Sequence, residues 1–259
     1  MTDEKRKEVL DSFLYGDLKN GTASQILSDN IPNYLYKYRS GTTLDLDALE
    51  NNKLWMANAT LMDDPYDAKL LLTDKFQAQI KYVVNNVERF RQPKYQIHLQ
   101  DDSIQRVCYL CSLSEISDSN DMWIRYANNE QGFCIQYDTL KLLKNIKFPI
   151  LPVWYGQKPY EDANTLAKMS KSTMILKNFL IKSRTGLNGE DWYSQREWRI
   201  IALGKMLGIT EGNINGKCID AISPSKIILG KNISVTLYNR IINWISRSEN
   251  KNILIEKRE

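Results

Sequence analysis

Asp191-Trp-Tyr-Ser-Gln-Arg-Glu-Trp-Arg-Ile-Ile-Ala202 combines aromatic and β-branched residues with a short run of charge, a composition that predicts a strand. Side chains alternate across a strand. Gln195, Glu197 and Arg199 therefore share one face, and Ser194, Arg196, Trp198 and Ile200 share the other. A carboxylate set between an amide and a guanidinium is costly to bury unless it is paired. Either this is a solvated face with a neighbouring Glu197–Arg199 pair, or Glu197 is a catalytic or ligand-binding carboxylate.

Outward from this stretch, the whole chain bounds the chemistry. It has 259 residues, 42% hydrophobic and 25% charged, with a net charge of +4. These values suit a globular domain, and the charge alone does not call for a nucleic-acid partner. No apolar run has the length of a membrane span, and the start Met-Thr-Asp-Glu-Lys-Arg-Lys is polar, so the expectation is a cytoplasmic protein without a membrane partner. The single histidine, His98, rules out a zinc site built from two or three histidines and shifts acid–base work to Glu, Asp, Lys or Tyr. The four cysteines are too few for a disulfide scaffold. Cys108-Tyr-Leu-Cys111 has knuckle spacing, but on a strand its thiols face opposite ways and no second pair follows, so neither metal nor disulfide is expected.

Periodicity gives helices over 3–18, around Ile26-Leu27, over 43–50, over 68–92 with a stripe of Phe76, Ile80, Val83, Val84 and Val87, over 121–127 and 139–144, over 161–184 including Leu166, and over 235–244. Strands are read at 34–40, 53–57, 106–115, 132–137, 216–220, 224–230 and 252–256, with 148–155 extended. The strand at 132–137 is expected to pair with the one at 106–115. Asn58 to Asp67 is a turn-rich loop shaped by Asp63-Asp64-Pro65. Helices and strands mix without strict alternation. This predicts one α+β domain over 1–259, with mixed, mostly antiparallel sheets flanked by helices. Its parts are an N-terminal helical extension over 1–30, a core over 33–230, and a closing helix and edge strand over 231–259.

Leu35-Tyr-Lys-Tyr-Arg39, the Asn58 to Asp67 loop, Cys111-Ser-Leu-Ser-Glu115, Met122-Trp-Ile-Arg-Tyr126, Gly132-Phe-Cys-Ile-Gln-Tyr137 and Arg196-Glu-Trp-Arg199 occur in an order that resembles the bacterial family of domain of unknown function 2971 (DUF2971). Met62-Asp63 stands where Phe-Asn is commoner in that family, and Gln195 where an acidic residue is commoner. The order also looks like that of the arginine–serine–glutamate ADP-ribosyltransferases. This second resemblance implies an ADP-ribosyltransferase-like fold and NAD as substrate. It makes Glu197, Ser114 and Gln195 catalytic, and Arg39, Tyr38, Lys37, Ser112, Asp64, Trp123, Tyr126 and Arg199 binding residues. Arginine grips a pyrophosphate, and a carboxylate stabilises an oxocarbenium-like centre without histidine or metal.

The implied setting is a bacterial or phage-encoded defence or toxin system with a nucleic-acid or protein acceptor. Two alternatives stand beside it. One is a non-catalytic nucleotide- or nucleic-acid-binding module that uses Lys37, Arg39, Arg125, Arg196 and Arg199. The other is a hydrolase that uses Asp63, Asp64 and Glu197 with a divalent ion.

Overall fold

The computed structural model describes residues 1–15, 22–64, 66–86, 88, 103–209 and 215–259. Val87 and His98 lie outside the described residues, as do the side chains of Val84 and Leu166. The helices are α1 (Asp3–Tyr15), α2 (Thr22–Asp29), α3 (Thr43–Glu50), α4 (Asp74–Asn86), α5 (Ser103–Val107), α6 (Asn120–Tyr126), α7 (Thr139–Asn145), α8 (Ala163–Lys168), α9 (Lys171–Leu180) and α10 (Val235–Ile245). The strands are β1 (Tyr34–Arg39), β2 (Lys53–Asn58), β3 (Cys108–Ser114), β4 (Phe133–Asp138), β5 (Ile150–Pro152), β6 (Trp154–Tyr155), β7 (Ile181–Lys182), β8 (Glu197–Leu203), β9 (Gly216–Asp220), β10 (Lys226–Leu229) and β11 (Leu254–Lys257).

Nine strands form one sheet in the order β11-β10-β4-β1-β3-β2-β9, with β8 on β3 and β5 on β8. All its pairings are antiparallel except β10–β11; β6 and β7 form a separate parallel pair. The fold is α+β, as the mixed element order predicts. Two apolar clusters lie on its opposite faces. Leu35, Met56, Cys111, Leu113, Trp198 and Ile200 pack on one side with α3, α7 and α10. Cys108, Leu110 and Ile201 pack on the other with α1 and α9. Cys108 and Cys111 thus belong to opposite faces, as the strand period requires.

Several expected elements are shorter or differently placed. The helix over 68–92 starts only at Asp74, because Leu72 is held by a bridge to Glu161. Arg106 belongs to α5, not to the strand after it. β4 pairs with β1 and β10 instead of β3. The long helix over 161–184 is broken in two: Ser170 caps a fresh start by accepting a hydrogen bond from the Thr173 amide, and the chain is extended from Ile181. Finally, 193–195 is a 3₁₀ turn. Arg196 sits in the left-handed region at φ 47°, and the strand begins at Glu197. Gln195 is therefore not on the strand that carries Glu197.

Candidate functional site

The site is a split in the sheet. One edge of β3 is covered along its whole length by β8, from Cys108↔Leu203 to Ser114↔Glu197. Two different strands share the other edge. β1 meets it at Tyr36↔Ser114, and β2 meets it at Ala57↔Leu110 and Asn58↔Tyr109. Both run antiparallel to β3, so they are parallel to each other and α3 is their crossover. From Leu110 to Ser114 is four residues, about 13 Å of strand. Across the gap, Lys37 Nζ donates to the Ser112 carbonyl at 2.7 Å, supplying a donor where the ladder has no strand.

A cavity of about 200 Å³ opens at this split. Lys37, Tyr38, Arg39, Ser112, Ser114, Asp64, Tyr126, Gln195 and Glu197 line it, although they come from distant parts of the chain. Two expected binding residues do not. Trp123 is fully buried in an apolar cluster beneath Tyr38, which it meets edge-on, and its indole N–H donates to the Ser117 carbonyl. Arg199 is also fully buried, behind Glu197.

Glu197 has a partner at every polar atom. Arg199 Nε donates to Oε1 at 2.8 Å and Arg199 Nη2 to Oε2 at 3.0 Å. Lys182 Nζ approaches Oε2 at 3.3 Å. Its backbone N–H donates to the Tyr155 hydroxyl at 2.9 Å. Its carbonyl accepts from Arg6 at 2.8 Å and from the Val153 N–H at 3.0 Å. The Glu197–Arg199 pair read from the alternation is real, but it is buried, not solvated.

Behind Glu197 stands Asp67, whose oxygens take Arg199 Nη1 at 2.8 Å and Nη2 at 2.5 Å, with Lys182 Nζ at 3.6 Å. Two carboxylates and two cations thus form a neutral buried quartet. Burial alone would raise the pKa of Glu197. Arg199 and then Lys182 outweigh it and hold the carboxyl well below its usual range, and the same forces hold Asp67 low. Glu197 is therefore a fixed anion at neutral pH, suited to stabilising positive charge and unsuited to donating a proton.

Ser114 serves the neighbouring turn. Its hydroxyl donates to the Gln195 carbonyl at 2.7 Å and accepts from the Ile116 N–H. Gln195 then joins the two sides of the cavity, accepting from Lys182 at 3.1 Å and donating to the Tyr126 hydroxyl at 3.0 Å. The Tyr126 pKa is raised first by burial and then by the charges of Asp63, on the 58–67 loop, and Glu197. Asp64 closes the expected Asx turn by accepting from the Tyr66 N–H.

Sequence reading missed Asp67, Lys182 and Arg6. Lys182 was hidden inside an apparent helix. Arg6 looked like one more charge on an amphipathic helix, yet it is fully buried and reaches Val153, Glu197 and Glu115. No group of metal-ligating side chains occurs among the described residues, and no helix there is long and apolar enough to cross a membrane.

Residues 122–200 match the family model described as Protein of unknown function (DUF2971). The matched segment carries Tyr126, Lys182, Gln195, Glu197 and Arg199. No curated protein and no solved structure matches the chain.

Proposed function

We propose that this chain binds a nucleotide in the split of its sheet and cleaves the N-glycosidic bond of NAD there, passing ADP-ribose to an acceptor. The observation that supports this reading is the meeting of Arg39, Ser112, Ser114, Gln195 and Glu197, from three strands and a turn, around one cavity. In this reading NAD is the substrate. Nicotinamide leaves with the bonding electrons, and positive charge builds on the ribose carbon. The Glu197 carboxylate, ionised and fixed in direction, lowers the energy of that charge. Tyr36, Tyr38 and Tyr126 offer ring faces and hydroxyls to the sugar and base, and Arg39 offers a guanidinium to phosphate.

A second reading, nucleotide binding without chemistry, is favoured by a specific feature. Arg199 and Lys182 already occupy both carboxylate oxygens of Glu197, which leaves little capacity for a ribose hydroxyl. Nicotinamide release from labelled NAD, measured beside calorimetric binding, separates the two. Transfer chemistry predicts release by the wild type and a loss of about a hundred- to a thousandfold in a folded Glu197→Gln variant that still binds NAD. Binding without release supports the second reading, and absence of nucleotide binding rejects both.

A further inference from the structure

A second cavity adjoins the first. It has a volume of about 490 Å³ and is bounded by α3, the start of β2 and the edge strand β9. Arg39 and Trp55 line both cavities. The inner cavity, at about 200 Å³, lies below the ~300–1000 Å³ usual for small-molecule sites, while the outer one lies within that range. The two residues at the junction are those a phosphorylated ring compound needs. Trp55 is 40% exposed and offers a ring face.

Arg39 is poorly satisfied where it stands. Its Nε is buried without a hydrogen-bond partner, and its ion pair with Asp45 is long, at 3.6 Å. Asp45 cannot easily close on it, because Asp45 Oδ2 already accepts from the Ser40 hydroxyl and from the Gly41 and Thr42 amides as part of the α3 cap. An incompletely paired guanidinium on a residue that lines both cavities fits an oxyanion passing from one to the other. The outer wall beyond it, with Thr42, Asp45, Asn51 and Ala48, mixes hydroxyl, carboxylate, amide and methyl groups, suited to a ribose and a base edge.

We infer that the two cavities are one composite site for a dinucleotide: the outer cavity takes the second nucleoside, stacked on Trp55, and Arg39 holds the phosphates between the halves. This inference rests on the nucleotide reading above. Cys218 supplies a probe in the unmodified protein. It lines the outer cavity beside Trp55, its cross-strand partner, and is exposed, whereas the other three cysteines are buried.

The experiment follows alkylation of Cys218 by N-ethylmaleimide, read by peptide mass, with nicotinamide mononucleotide, ADP-ribose or NAD present. Calorimetry of the same ligands on wild type and on Ala48→Trp runs beside it. The expected result is protection by ADP-ribose and NAD but not by the mononucleotide. NAD should also bind about tenfold more tightly than the mononucleotide, in line with a charge-assisted contact, and lose that advantage in Ala48→Trp. Tight NAD binding that leaves Cys218 reactive and is indifferent to Ala48→Trp would overturn the composite site while sparing the inner nucleotide site. If none of the three ligands binds, the nucleotide reading falls and the composite site with it.

Discussion

Arg199 clasps Glu197 at two points, Nε to Oε1 at 2.8 Å and Nη2 to Oε2 at 3.0 Å, and does so with its own side chain fully buried and its far edge bonded to Asp67. Removing one member of such a buried pair strands the other's charge, at a cost of about 3–5 kcal/mol. Asp67→Ala and Glu197→Gln are both expected to melt lower by about 6–20 °C for a chain of this size. The amide of Glu197→Gln turns an N–H₂ group toward two cations and cannot be treated as silent for folding. Thermal melts of both variants check this. An unshifted Glu197→Gln would mean that Lys182 and Arg199 find other partners.

The same quartet sets an acid limit. Folded Glu197 and Asp67 lie below their ordinary values of 4.5 and 3.8. As pH falls through those ordinary values, the unfolded chain takes up protons that the folded one still refuses. Their contribution is therefore complete above about pH 5 and declines as acidity rises toward the folded values. Denaturant titrations from pH 6 to 3 should show wild-type stability falling more steeply than Asp67→Asn, by up to about 1.4 kcal/mol per pH unit for the missing carboxylate. Parallel curves would remove Asp67 from the linkage.

Arg6 and Lys5 are neighbours on α1 with opposite fates. Arg6 is fully buried and binds the carbonyls of Val153 and Glu197, together with the Glu115 carboxylate. Lys5 makes an exposed pair with Glu8. Arg6→Met should lose about 3–5 kcal/mol, and Lys5→Met should change stability by no more than about 0.5 kcal/mol. Urea unfolding of the two variants compares them directly, and equal midpoints would show that the N-terminal helix does not support β8.

The contrast between Lys5 and Arg6 also shows where sequence reading stops. Period and alternation carry information about which face a residue occupies, so the sheet strands, α3, α10 and the pairing of Glu197 with Arg199 were legible. They carry none about what lies opposite. Asp67 and Arg199 are separated by 132 positions, and no local pattern announces their bond. Lys182 reads as helical because the apolar stripe of α9 runs into β7, and two buried positions look the same in either conformation. Gln195 reads as part of the strand because Arg196 gives no signal of its left-handed backbone, which glycine would give. Motif order hints at the converging cleft, while its cause, one strand edge shared by β1 and β2, is a property of topology.

Lys37 carries the last prediction. Its ammonium donates to the Ser112 carbonyl across the split and lines the cavity. Its pKa lies below the ordinary 10.5, chiefly through burial, with Arg39 adding to the fall and Cys111 opposing it. The folded state therefore holds this charge at a net loss, despite the hydrogen bond. Lys37→Met has two opposed effects: it strands a backbone carbonyl, about 1–3 kcal/mol against folding, and it relieves a desolvated charge. Melting should consequently shift little. Binding should shift more, because a partly desolvated cation beside an open cavity is suited to a phosphate. ADP affinity is expected to fall about tenfold, the equivalent of one charged contact, while adenosine affinity holds. Calorimetry with the two ligands, beside a melt, makes the comparison. A large drop in melting temperature with an unchanged preference for ADP over adenosine would make Lys37 a strut of the sheet and nothing more.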